Sequence, residues 1–148
     1  MGPFSAQPFE FFVCSPEVVD KLSNKTQKIR VIHDLSWPPE HSVNSFIAPD
    51  VSSVQYINLD VAIRMVKRAG QIYFMAKIDL RDAYKQIGVH PEDWPLLGTT
   101  WINDSGTTEY FYDTVLPFGC RSSAALFDKF ATGLEFIMFQ NGVTQMFR

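Results

Sequence analysis

Asp79 closes the largely apolar run 72–78, and Tyr84 follows five residues later across the turn-prone Leu80-Arg81-Asp82-Ala83. A carboxylate at such a strand end points away from the core. There it can hold Mg²⁺ jointly with substrate phosphates, because this hard cation takes few protein oxygens and keeps its other positions for phosphate and water. Turn amides over residues 80–83 can face phosphate oxygens, and the Tyr84 ring is spaced to lie beneath a nucleotide sugar. Two-metal phosphoryl transfer needs more, since one carboxylate cannot fix two ions and another acidic residue has to arrive from a second strand. Each residue also has a plainer reading: Asp79 as a solvated strand-end carboxylate, Tyr84 as a half-buried core ring.

These side chains need elements to position them. Residues 28–35 read as a strand, with Ile29, Val31, His33 and Leu35 on one face and Lys28, Arg30, Ile32 and Asp34 on the other. Ser23-Asn24-Lys25-Thr26 before it is a hairpin turn signal, and Trp37-Pro38-Pro39 ends it. Asn58 caps a helix over 59–69 that Gly70 closes, with Leu59, Ala62, Ile63, Val66 and Ala69 as its buried stripe. A strand over 72–79 then delivers Tyr73, Met75, Lys77 and Asp79 to one face, and residues 80–86 turn helically. Pro91 and Pro95 bracket an irregular link to a hairpin pairing 96–102 with 108–115 around Asn103-Asp104-Ser105-Gly106. A last helix opens at Ser122 or Ser123 as cap. It carries Phe127, Phe130, Ala131, Leu134, Ile137 and Met138 at helical spacing, and stops at Asn141-Gly142. Residues 1–16, with Pro3, Pro8 and Pro16 among four phenylalanines, form an irregular arm whose aromatics pack onto the body.

Composition narrows the classes. The 148 residues, 46% hydrophobic and 14% aromatic, suit one globular α+β unit with a core. The net charge of −3 gives no global basic field, so nucleic-acid contact must come from a local patch or from segments outside this chain. Lys21, Lys25, Lys28 and Arg30 are one such cluster, with a solvated hairpin face as the equal alternative. Cys14 and Cys120 match no zinc or redox spacing, and no signal peptide is evident. Two reduced thiols in an intracellular protein, cytoplasmic or nuclear, are the expectation. No apolar run is long enough to span a membrane. His90 before Pro91 reads as a structural turn histidine rather than a ligand.

Taken in order, the segments Gly2-Pro3-Phe4-Ser5, Arg30 to Ser36, Ser42-Val43-Asn44, Ala76 to Tyr84, Val89 to Trp94, and Leu116-Pro117-Phe118-Gly119 with Ser123 and Phe127 make the chain resemble the fingers-and-palm portion of a reverse transcriptase. The likeness is nearest to those of DIRS-class retrotransposons. It covers nearly the whole chain and implies fingers elements in 1–70. The first part of a palm falls in 71–148, with a fingers-like hairpin near 94–116. The sheet would be ferredoxin-like and antiparallel, with packed helices. Asp79 matches the first metal-binding aspartate, and Leu80 offers its backbone carbonyl to the same Mg²⁺. Tyr84 matches the residue that packs against the incoming sugar, Asp82 and Ala83 lie along the triphosphate, and Arg30 matches the arginine that grips it. A guanidinium supplies the bidentate geometry that phosphate favours; the alternative for Arg30 is a surface pair with Asp34, of little energetic weight. Phe118 lines the nucleotide pocket, and Asn44, Gly119 and Arg121 are template-side candidates. Partners implied are a template-primer and a dNTP.

Departures from the family pattern carry further expectations. The Tyr-x-Asp-Asp hairpin that supplies the remaining metal ligands would follow the last helix, and the chain ends before it. Glu17 to Lys21 replaces the usual start of the first fingers strand, and Ala124 replaces a helix-opening proline. The resemblance thus implies a polymerase fragment that is inactive by itself, a non-catalytic binding module, or a split enzyme completed by a second chain. An exposed palm edge would favour self-association or a protein partner.

Overall fold

The computed structural model describes residues 1–23, 26–72 and 74–146, and of residues 18–30 the backbone alone. Runs rich in β-branched and aromatic residues supply the strands, because such side chains suit a pleated, half-buried surface. β1 (Val13–Ser23) and β2 (Thr26–Asp34) pair antiparallel from Ser15 opposite Asp34 to Ser23 opposite Thr26. β3 (Gly98–Ile102) and β4 (Thr108–Tyr112) form a second antiparallel pair around the expected turn. The hairpins join where Val13 and Cys14 run parallel to Gly98 and Thr99, giving one four-stranded sheet in the order β2-β1-β3-β4. The fold is α+β as expected, but its sheet is mixed rather than purely antiparallel. β1 runs straight through Glu17 to Lys21, so that departure from the pattern does not abolish the strand. Asn24 and Lys25 of the expected turn lie outside the described residues.

Two residue pairs are a thin joint, and the aromatic arm reinforces it. Thr99 Oγ1 donates to the Cys14 carbonyl at 2.9 Å, and the Phe12 N–H donates to the Pro95 carbonyl at 2.8 Å. The Phe11 ring lies over Gly98, where an added Cβ would run into it, so glycine is what lets the ring seat on the strand. Phe4 exchanges two backbone hydrogen bonds with Tyr110 at 3.0 Å, and its ring stacks on Tyr112 at 5.8 Å. Phe9 meets Tyr112 at 4.9 Å and Phe11 meets Tyr110 at 6.2 Å. Below this layer Cys14, Leu35 and Leu97 form the buried core cluster, with Val43, Val89 and Cys120 against it. Burial, and secondly the Asp34 carboxylate, push the Cys14 thiol up from 9.0 to about 11.

Two short elements follow β2: a 3₁₀ turn over Val43–Phe46 and helix α1 (Pro49–Ser52). Helix α2 (Leu59–Ala69) has the expected ends: the Asn58 side chain accepts from the Asp60 N–H at 3.0 Å, and Gly70 closes it with φ 84°. Its apolar stripe, in contrast, is not covered. Of the expected buried residues only Ala62 is buried, while Leu59, Ile63 and Val66 are exposed. Helix α3 (Ser123–Gln140) stops at Asn141-Gly142 and has Ser122 at its N-cap position as expected, yet neither serine side chain makes a capping hydrogen bond. Ser123 Oγ donates instead to the Pro117 carbonyl at 2.9 Å, and Ser122 Oγ pairs with Cys120 Sγ at 3.2 Å.

Of the expected strand over 72–79, Tyr73 lies outside the described residues and 74–79 form no strand. Residues 74–80 belong to no ladder, and among the described residues they make no backbone hydrogen bond. A strand exists only through a neighbour's edge, and none among the described residues pairs with this segment; period and propensity alone cannot supply one. No helix among the described residues is long and apolar enough to cross a membrane.

Two outcomes are expected. Phe11→Ala should lower unfolding free energy by about 3 kcal/mol in urea titrations, whereas exposed Phe12→Ala should stay within about 0.5 kcal/mol. For Cys14 the folded-state value lies above the ordinary one, so the unfolded chain releases that proton first. Its contribution is intact below pH 9.0 and is lost between 9.0 and about 11, and Cys14→Ala should make the decline of urea midpoints across that window shallower.

Candidate functional site

The end of β2 meets the Leu116–Arg121 loop edge to edge. The His33 N–H donates to the Phe118 carbonyl at 3.1 Å, and the next loop residue, Gly119, sits at φ 108°. A Cβ there would strike the His33 carbonyl oxygen, so close backbone approach and positive φ both demand glycine.

Asn44 locks this contact. Its backbone N–H donates to the Leu35 carbonyl at 2.9 Å, which plants the 3₁₀ turn Val43–Phe46 beside the end of β2. Its side-chain Nδ2 donates to the Gly119 carbonyl at 2.8 Å and to Ser36 Oγ at 2.9 Å. Its Oδ1 accepts from the Arg121 N–H at 2.8 Å. The residue is buried, and three of the amide's four hydrogen-bonding positions are filled. Arg121 is exposed and donates from Nη1 to the Ile47 carbonyl at 3.0 Å. The three template-side candidates Asn44, Gly119 and Arg121 therefore form one hydrogen-bonded unit.

Two nucleotide-side candidates also come together. Tyr84 lies in the 3₁₀ turn Ala83–Gln86, which opens at Asp82 in the left-handed conformation with φ 51°. Its ring sits 5.1 Å from Phe118 and 5.8 Å from Phe127. Burial of the ring, and secondly the phenol of Tyr56, raise its hydroxyl above the ordinary phenolic value. Ala83 is half-buried, whereas Asp82 is exposed and 3.4 Å from Arg81 Nε, a solvent-screened pair of little weight.

The remaining candidates are not gathered in. Asp79 and Leu80 are exposed on the unpaired segment. Arg30 lies on β2 opposite Val19, with its side chain outside the described ones, as are those of Lys21, Lys25 and Lys28. Mg²⁺ chemistry of the two-ion kind needs several oxygen donors converging on one place. Among the described residues no three of His, Cys, Asp and Glu do so, and Asp79 with the Leu80 carbonyl does not fit a pair of ions.

Sequence reasoning missed two participants. Ser36 holds the Asn44 amide. His33, with its side chain 13% exposed, faces Asp113 at 3.4 Å, and its buried Nδ1 has no partner among the described residues. The stretch Arg30 to Ser36 marked the neighbourhood of both, but nothing in it pairs His33 with an aspartate eighty residues away. His90 behaves as the expected turn histidine: its Nδ1 accepts from the Glu92 N–H at 3.4 Å.

Asn44→Ala should cost about 2–3 kcal/mol, because it removes the three hydrogen bonds of a buried amide. Gly119→Ala should cost at least about 1–3 kcal/mol through strain. Arg121→Ala should cost only about 0.5 kcal/mol, since the main chain carries its link to Asn44. Urea unfolding of the three variants checks this ranking. No protein-family model matches the chain, and no curated protein or solved structure matches it either.

Proposed function

We propose that the chain is the fingers-and-first-palm portion of a reverse-transcriptase-like polymerase of retrotransposon origin. By itself it is non-catalytic and retains a surface for nucleic acid. The observation that supports this most is the Asn44–Gly119–Arg121 unit. It joins residues far apart in the chain for which the resemblance implies a template-side place, and it leaves the Arg121 guanidinium at the surface.

Next to it, the half-buried rings of Tyr84 and Phe118 pack together, and aromatic rings are the side chains on which a sugar or base can rest. A complete polymerase of this kind adds deoxynucleotides to a primer 3′ end with two Mg²⁺ ions, mostly through positioning and electrostatics. The donor set here does not fit that pair of ions. Parts of a catalytic unit that act together lose far more than their share when one is missing. Binding without turnover is the reading that follows; a split enzyme, completed by carboxylates from a second polypeptide, is the competing one.

Primer extension and template-primer binding, measured on the same preparation with Mg²⁺ or Mn²⁺, test the proposal. The expected result is no extension, with binding that weakens as salt rises and a salt slope lowered by about one in Arg121→Ala. Robust extension abolished by Asp79→Asn would overturn the non-catalytic reading. Extension only with an added polypeptide would establish the split enzyme instead, and absence of binding at low salt would remove the nucleic-acid surface.

A further inference from the structure

The loop after β2 holds two large rings in water on a backbone tied down by hydrogen bonds. Trp37 is 67% exposed and Phe46 78%. The Asn44 N–H on the Leu35 carbonyl at 2.9 Å and Asn44 Nδ2 on Ser36 Oγ at 2.9 Å close the loop. Within it the His41 N–H donates to the Pro38 carbonyl at 3.3 Å, and the hydroxyls of Ser42 and Ser45 share a hydrogen bond at 2.7 Å. Trp37 directly follows Ser36, and Phe46 lies just past Asn44, so both rings issue from backbone beside the same buried amide. Arg121 is bound to that place twice. Asn44 Oδ1 accepts from its N–H, and the carbonyl of Ile47, the residue after Phe46, accepts from its guanidinium at 3.0 Å.

Aromatic rings carry the largest apolar surface of any side chain, and a tied loop that leaves two of them wet offers them to a ligand. The exposed residues between them in the chain are Pro38 and Pro39, which fix the backbone, and the polar Glu40, His41 and Ser45. A protein or membrane contact asks for a continuous apolar patch. Rings set among polar groups with a guanidinium at hand suit a strand whose bases stack on the rings while a phosphate meets the cation. We infer, resting on the reading of this face as a nucleic-acid surface, that Trp37 and Phe46 are base-stacking residues and that the surface takes single-stranded nucleic acid in preference to duplex. In a duplex the bases already cover one another, so only an unpaired strand presents free base faces. Every base has such a face, which makes the preference one of strandedness and not of sequence.

Fluorescence anisotropy of the full chain with a labelled single strand of about 12 nucleotides, and with the blunt duplex of the same sequence, gives the test at one low salt concentration. Far-UV circular dichroism verifies that each variant is folded. The single strand should bind at least about fivefold tighter than the duplex. Trp37→Ala and Phe46→Ala should each weaken the single strand about five- to tenfold, with duplex binding and the salt slope unchanged, because stacking releases no counterions. Trp37→Phe and Phe46→Tyr should stay within about threefold of the parent, whereas Trp37→Leu and Phe46→Leu should behave as the alanine variants do. Single-strand binding unchanged in the alanine variants, leucine as good as the ring, or a duplex bound as tightly would each overturn stacking and leave the nucleic-acid surface in place. Binding of neither ligand removes that surface and the stacking residues with it.

Discussion

The buried amide of Asn44 is the interaction on which the candidate site depends. One planar group with donors on one atom and an acceptor on the other spans Ser36, Gly119 and Arg121, and so ties the end of β2 to the loop before α3. No other side chain of that size offers donor and acceptor in this geometry: aspartate would lose the donors and set a charge against the Gly119 carbonyl, and leucine would leave all three groups unpaired. The lock also constrains its neighbours. With Gly119 held against the His33 carbonyl, Phe118 faces Tyr84, and Ser123 at the start of α3 hangs from the Pro117 carbonyl.

A second constraint is the narrow parallel joint between the two hairpins. Its ladder is too short to orient them alone, so the arm's aromatic rings and the Phe12–Pro95 backbone bond share that task. Gly98 and Gly119 have the same logic at opposite sides of the core: each lacks a Cβ where another group must come close. The ordered half of the molecule is therefore built by close approach of backbone and ring, around the small cluster of Cys14, Leu35 and Leu97.

The other half is organised by local signals without matching burial. α2 has a correct cap, a correct stop and an amphipathic pattern, and its apolar stripe still faces outward. Helix formation needs only local hydrogen bonds and capping, whereas burial needs a second surface. The same distinction separates the site's parts. Asn44, Gly119 and Arg121, joined to one another through the Asn44 amide, are assembled; Asp79 and Leu80 depend on a strand that has no neighbour among the described residues.

The sequence by itself determined every feature that rests on short-range chemistry. These include the α2 boundaries from Asn58 and Gly70, the β3–β4 hairpin from its Asn-Asp-Ser-Gly turn, and the stop of α3 at Asn141-Gly142. Tertiary structure alone decided the mixed sheet order and the pairing of His33 with Asp113. It also decided the transfer of Ser123 from helix cap to loop tether, and the failure of 74–79 to become a strand. The physical reason is range: a turn or cap is satisfied within a few residues, while a ladder, a buried amide or an ion pair is satisfied only by groups that the rest of the chain brings to it.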